Sequence, residues 1–244
     1  MQHPVVSQEE WLKARKAHLA REKELSKLRD KLAEERRALP WIKVEKNYVF
    51  DTPAGKKSLS ELFDGRSQLI VQHFMFAPGW DAGCIGCSFG ADHVDGANQH
   101  LAQHDVKYVA VARAPLAVLQ AYRKRMGWQF DWVSSAGSDF NFDYHVSFTP
   151  EEIARGKAEY NYATIDNTME ELPGYSVFCK NGKGEIFHTY SSYGRGNEEL
   201  IGTYVFLDMT PKGRNENGPH NNLMDWVKRH DEYGSAAQPK SCCG

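Results

Sequence analysis

Two cysteines in a Cys-x-x-Cys spacing, Cys84 and Cys87, stand in the stretch Gly83-Cys-Ile-Gly-Cys-Ser88. A nearly continuous apolar run, residues 69–76, precedes them, and a segment that can be helical follows. Strand, turn and helix in that order place the first thiol at a helix N-terminus, where orphan N–H groups and the positive end of the helix dipole favour an anion. A thiolate there is stabilised over the thiol, so its pKa falls below the ordinary value of about 8.5 and it becomes a nucleophile at neutral pH. The second cysteine, one turn on, can attack a mixed disulfide and release the product. The chemistry expected is thiol–disulfide exchange, with Cys84 attacking, Cys87 resolving, no cofactor and no resident metal.

Other chemistries compete for the same residues. A closed metal site needs two more ligands beyond the cysteines. His93, His100 and His104 follow, but there is no second Cys-x-x-Cys, and His100 and His104 are spaced as a surface pair on a helix. A thiol peroxidase would use one cysteine through a sulfenic acid. Two reduced cysteines can also be buried simply as small apolar residues, which leaves a redox-inert scaffold. His73, on the strand leading to the dithiol, is a candidate proton acceptor, although a central-strand histidine is more often hydrogen-bonded in the core. Cys179 reads as a buried small residue. Cys242 and Cys243 are adjacent in the final segment and form a candidate accessory dithiol. Neighbouring cysteines do not readily close on each other, because the small ring strains the intervening peptide.

The elements that must position the dithiol are legible in pattern. Residues 7–39 read as one long helix: Ser7 and Glu10 fit a capping box, and Trp11, His18, Leu25, Leu32 and Leu39 recur every seven residues. Pro40 stops it. Such a helix is roughly 50 Å long, and its stripe is expected to be buried, most simply in a homodimer. Residues 48–50 are a short strand, 58–65 a short helix, and 69–76 a central parallel strand. Residues 88–104 form a helix weakened by Gly90 and Gly96. A strand at 107–112, a helix at 115–126 and a strand at 129–134 follow. Residues 135–172 form an inserted segment with one helical patch. Residues 175–179 and 185–190 make a hairpin around Lys180-Asn-Gly-Lys-Gly184. Residues 203–209 read as a further strand and 222–230 as a closing helix. The organisation expected is a helical arm over 1–40, one domain over 41–233 and a tail over 234–244. Alternating strands and helices followed by a hairpin give an α/β class with a mixed sheet, and in such sheets sites lie at the carboxyl ends of strands.

Composition narrows the function classes. The 244 residues carry 30 Lys and Arg against 32 Asp and Glu, a net charge of -2, which argues against a general nucleic-acid binder. No run approaches the length of a membrane span, and residues 1–20 lack a signal-peptide core. A cytoplasmic protein without membrane or nucleic-acid partners is expected, acting on a protein or small-molecule thiol or disulfide. In a reducing compartment Cys-x-x-Cys is catalytic or metal-binding more often than structural.

The order strand, Cys-x-x-Cys helix, strand, helix, then Leu172-Pro173-Gly174 leading into a hairpin resembles the thioredoxin-like superfamily. Glu34-Glu-Arg-Arg-Ala-Leu-Pro40, Gln68-Leu-Ile-Val-Gln-His-Phe-Met75, the dithiol stretch and Leu207-Asp-Met-Thr-Pro-Lys-Gly-Arg214 are similar to an uncharacterised bacterial family of predicted dithiol-disulfide oxidoreductases in that superfamily. The resemblance implies a thioredoxin-like mixed sheet flanked by helices. It implies Cys84 as attacking and Cys87 as resolving thiol, Trp80 beside the substrate, and Pro173 as a cis proline presenting backbone to an extended substrate. The buried acid that thioredoxins carry on the strand before the dithiol has no counterpart; Gln72 and His73 stand in that neighbourhood.

Overall fold

The computed structural model describes residues 3–194, 196–214 and 226–234. It divides into two units, residues 1–41 and residues 42–244. The first holds helix α1 (Gln8–Arg37), started by the Ser7–Glu10 capping box. The helix buries none of its side chains; Trp11, Leu25, Leu28 and Leu32 of the stripe are each about half exposed.

The second unit is built on an eight-stranded mixed sheet in the order β1-β10-β9-β4-β5-β6-β2-β3. Its elements along the chain are β1 (Ile42–Lys43), β2 (Val49–Thr52), β3 (Gly55–Ser58), α2 (Leu59–Leu62), β4 (Gln68–His73), α3 (Ile85–Ala91), α4 (Val94–Gln103), β5 (Val106–Ala112), α5 (Leu116–Met126) and β6 (Asp131–Ser134). Then come α6 (Phe140–Asp143), α7 (Pro150–Arg155), β7 (Lys157–Tyr160), β8 (Ala163–Asp166), β9 (Gly174–Lys180), β10 (Ile186–Tyr193) and α8 (Gly202–Asp208). Strands β4, β5 and β6 are parallel, and β9 runs antiparallel to β4. The sheet is mixed and flanked by helices, as the resemblance implied, with the dithiol helix following the carboxyl end of β4.

Alternation along the central strands divides the core. Tyr108, Ala110 and Ala112 of β5 face a cluster containing Phe74, Phe76, Cys87, Leu119, Trp128 and Trp132. Val109 and Val111 face the opposite cluster, with Leu69, Val71, Phe140, Tyr144 and Phe178. Strands buried on both faces read as unbroken apolar runs, which is why β4 and β5 were legible. Aromatic residues fill both faces: Phe74 meets Trp132 at 4.5 Å on one side, and Phe140 meets Tyr144 at 4.7 Å on the other.

Three expectations change. Residues 203–209 form helix α8, not a strand. Ile201, Tyr204 and Leu207, three apart, pack together on Phe89, while Val205 and Phe206 between them stay exposed, a helical rather than a period-two burial. The segment 88–104 is two helices, α3 and α4, broken at Asp92 and His93. The inserted segment carries its own hairpin, β7–β8, and a small core of Val146, Phe148, Ala158, Tyr160 and Tyr193. Of the expected closing helix, residues 222–225 lie outside the described residues, as does the Cys242–Cys243 pair; residues 226–229 are not helical, and a single 3-10 turn follows at His230–Glu232. Among the described residues no helix is long and apolar enough to cross a membrane.

Candidate active site

Cys84 is the N-cap of α3, and its own N–H donates to Met75 O at 3.0 Å. The helix begins there because the Cys84 carbonyl takes the Ser88 N–H at 3.0 Å and the Ser88 hydroxyl at 2.8 Å. Cys87, one turn on, is buried. The Met75 N–H points at its sulfur at 3.5 Å, and the Gln72 amide donates to its carbonyl at 3.3 Å. Gln72 is in turn held by the Tyr108 hydroxyl at 2.5 Å. Both cysteines are free thiols.

The two thiols are driven apart in acidity. Cys84 is lowered to about 6, first by the Cys87 thiol donating to it, then by the N–H groups of Cys87 and Gly86 and by the positive charge of Arg229, against an opposing desolvation. Cys87 is pushed well up, by its bond to Cys84, by burial and by the neighbouring negative charge. This is the division of labour a nucleophile and a resolving thiol require. Arg229 is fixed by donating from Nε and Nη2 to Gly83 O at 3.2 and 2.7 Å.

Gly83 itself is dictated by packing. A Cβ at that position would lie 2.6 Å from the Phe74 ring.

Both cysteines open on a cavity of about 290 Å³. Pro173, Gly174 and Tyr175 line one side, and Gly194, Asn197, Glu198, Ile201 and Tyr204 another. Pro173 therefore stands at the dithiol cavity, but its peptide bond is trans, and none among the described residues is cis. The inserted segment explains the path: Leu172 N–H donates to Val146 O at 2.9 Å and the Tyr160 hydroxyl to Pro173 O at 2.6 Å. The chain is thus held straight into β9. Trp80 is not among the cavity residues; its indole N–H donates to Glu170 at 2.6 Å.

His73 also lines the cavity, and burial together with His188 lowers it to about 3. An imidazole so lowered is neutral at neutral pH and a poor resting base. Its Nε2 meets Ser176 Oγ at 2.7 Å; Ser176 meets Ser191 Oγ at 2.7 Å, and Ser191 meets His188 Nε2 at 2.7 Å. A bulge at Thr189, where the β9–β10 register shifts, brings His188 and Ser191 to one face. Without it, residues three apart would point to opposite sides.

Glu171 is the residue that reading the sequence missed. It is 1 % exposed, receives Arg113 Nε at 2.5 Å and the Ser147 hydroxyl at 2.9 Å, and raises Cys87 by its charge. Burial outweighs the arginine and lifts its pKa to about 7. A buried acid therefore exists beside the dithiol, contributed from the segment before Pro173 rather than from the strand before Cys84. Paired carboxylates, Glu170-Glu171, next to Leu172-Pro173 were the available signal.

Among the described residues no cluster of His, Cys, Asp or Glu is arranged to hold a metal. No curated protein matches the chain. Among solved structures it is similar to a peroxidoxin, BcpB, from Mycobacterium tuberculosis, with 12% identity over 68% of this chain and 95% of that one and a TM-score of 0.44. It is also similar to peroxiredoxin Q from Xanthomonas campestris, with 9% identity, 64% and 85% coverage and a TM-score of 0.44. A secreted Mycobacterium tuberculosis disulfide oxidoreductase homologous to E. coli DsbE gives 15% identity, 64% and 92% coverage and a TM-score of 0.34. Residues 1–233 match the profile of the family described as bacterial protein of unknown function, DUF899, and the chain belongs to that family.

Proposed function

We propose that the protein is a thiol–disulfide oxidoreductase. The observation that carries this reading is the pair itself: a half-buried Cys84 thiol, acidified by the Cys87 thiol and two helix N–H groups, open to a cavity. The Cys84 thiolate attacks one sulfur of a substrate disulfide, forming a mixed disulfide and expelling a thiolate that takes up a proton. Cys87 then loses its proton and attacks Cys84 Sγ, closing the Cys84–Cys87 disulfide and expelling the second thiolate. Two electrons pass from the protein dithiol to the substrate, and a separate dithiol must return them. Glu171, near neutrality in pKa and felt by Cys87, is suited to take the Cys87 proton.

Thiol titration before and after dithiothreitol tests the reading. A reversible Cys84–Cys87 disulfide, lost in Cys84→Ser and in Cys87→Ser, is expected. Two cysteines that stay reduced under mild oxidant would leave a redox-inert scaffold.

For the first unit we propose self-association through the apolar stripe of α1. A contiguous exposed apolar patch of this kind marks an interaction surface.

A further inference from the structure

Resting on the dithiol reading, we infer that the substrate is a small disulfide with compact substituents, not a disulfide within a polypeptide. An extended polypeptide docks by adding its main-chain hydrogen bonds to an open edge. Here that edge is used up. Gly174 is paired on one side with His73 of β4 and on the other with Tyr193 of β10. The Pro173 carbonyl, the next acceptor along, already takes the Tyr160 hydroxyl at 2.6 Å.

The cavity is also walled. Ile201 and Tyr204 line one side, and both pack with Phe89 of the dithiol helix. Tyr204 is 1 % exposed and meets the Phe89 ring of α3 edge-on at 5.1 Å. The Thr203 N–H donates to His93 Nε2 at 3.1 Å, with the Thr203 hydroxyl 2.8 Å from the same nitrogen. What remains is about 290 Å³, at the small end of small-molecule sites. Gly86 and Gly90 contribute no side chain to it, which leaves room beside the sulfurs for one compact group against Pro173, Ile201 and Tyr204.

Short alkyl or hydroxyalkyl disulfides meet the size condition; glutathione disulfide and protein disulfides do not. The electron count is that of the exchange above, with one small disulfide reduced to two thiols per dithiol oxidised.

The experiment is single-turnover oxidation of the fully reduced, full-length protein by bis(2-hydroxyethyl) disulfide, glutathione disulfide or insulin, followed by mass spectrometry. Each rate is divided by that of free dithiothreitol with the same oxidant. The small disulfide is expected to exceed insulin by about 100-fold on this scale. Equal or faster oxidation by insulin overturns the inference. Diamide serves as the size-independent control. If diamide fails to close Cys84–Cys87, the dithiol reading itself falls. If diamide closes it but the small disulfide shows no advantage, only the inference falls. Ile201→Trp fills the cavity from a half-buried position and is expected to slow the small disulfide about tenfold with the diamide rate as reference. An unchanged rate in that variant also overturns it.

Discussion

Cys84 at about 6 is largely thiolate at neutral pH. A phase of alkylation by iodoacetamide is therefore expected to rise through a midpoint near that value, and this low-pH phase should vanish in Cys84→Ser. In Cys87→Ser the midpoint should move if the sulfur–sulfur bond is the main cause; a profile that stays put would assign the acidity to the helix alone. The same shift has a stability consequence. Because the folded value lies below the ordinary 9.0, the contribution is full above about 9 and disappears as pH falls through about 6. The Tm advantage of the reduced wild type over Cys84→Ser should shrink across that window. Glu171 works in the opposite sense. Its folded value is raised from 4.5 to about 7, so its contribution is present below 4.5 and is lost as pH climbs through about 7. Glu171→Gln, which cannot ionise, should gain in Tm relative to wild type as pH rises from 4.5 to above 7, and the absence of any relative gain would sink this account. The cysteine pair was visible from spacing alone. Glu171 was not, because what makes it unusual is burial by residues 146–148 of a distant segment, and no local pattern records that.

At the scale of elements, the readable ones are those whose neighbours agree with their period. Strands β4, β5 and β9 and helix α1 announce themselves because apolar runs, hairpin residues and a capping box all point one way. Helix α8 was read as a strand because Thr, Tyr, Val and Phe favour strands, and only Phe89 beneath it shows that Ile201, Tyr204 and Leu207 form its buried face. The cis reading of Pro173 failed for a related reason: the inserted segment supplies Val146 and Tyr160 to hold the chain. Gly83 offers a test of how tightly the dithiol loop is packed. A methyl group 2.6 Å from the Phe74 ring must displace a fully buried side chain, at a cost of about 1–3 kcal/mol. Urea unfolding of Gly83→Ala should show a lower midpoint with an unchanged m-value; an unchanged midpoint would mean that Phe74 yields freely.

At the scale of the whole molecule, the sheet of the second unit needs nothing further to account for its core, whereas α1 leaves its stripe uncovered. Leu25, Leu28 and Leu32 are 47%, 52% and 49% exposed. Sedimentation equilibrium of the full chain is expected to show an oligomer, and Leu25→Glu with Leu32→Glu to dissociate it while circular dichroism stays unchanged. A monomer in the wild type at every concentration would remove self-association. The heptad spacing was plain in the sequence; what the stripe packs on was not, because a periodic apolar face does not name its partner.

The bulge at Thr189 fixes more than a side-chain direction. Three hydrogen bonds join His73, Ser176, Ser191 and His188. His188 Nε2 also faces the Tyr190 carbonyl at 3.1 Å, which only accepts, so that nitrogen carries a hydrogen whether the ring is neutral or charged. A neutral His188 therefore keeps its Nδ1 bare, and acid adds its proton there, at a pH below the usual 6.5 because burial lowers it. The kink in β10 thus decides which nitrogen titrates in the recess that His188 shares with Lys46 and Asp143. Nitrogen-15 spectra of the imidazoles should show His188 with its proton on Nε2 at neutral pH and its Nδ1 signal moving as the ring titrates; a neutral His188 protonated on Nδ1 instead would show that the Tyr190 carbonyl does not hold it.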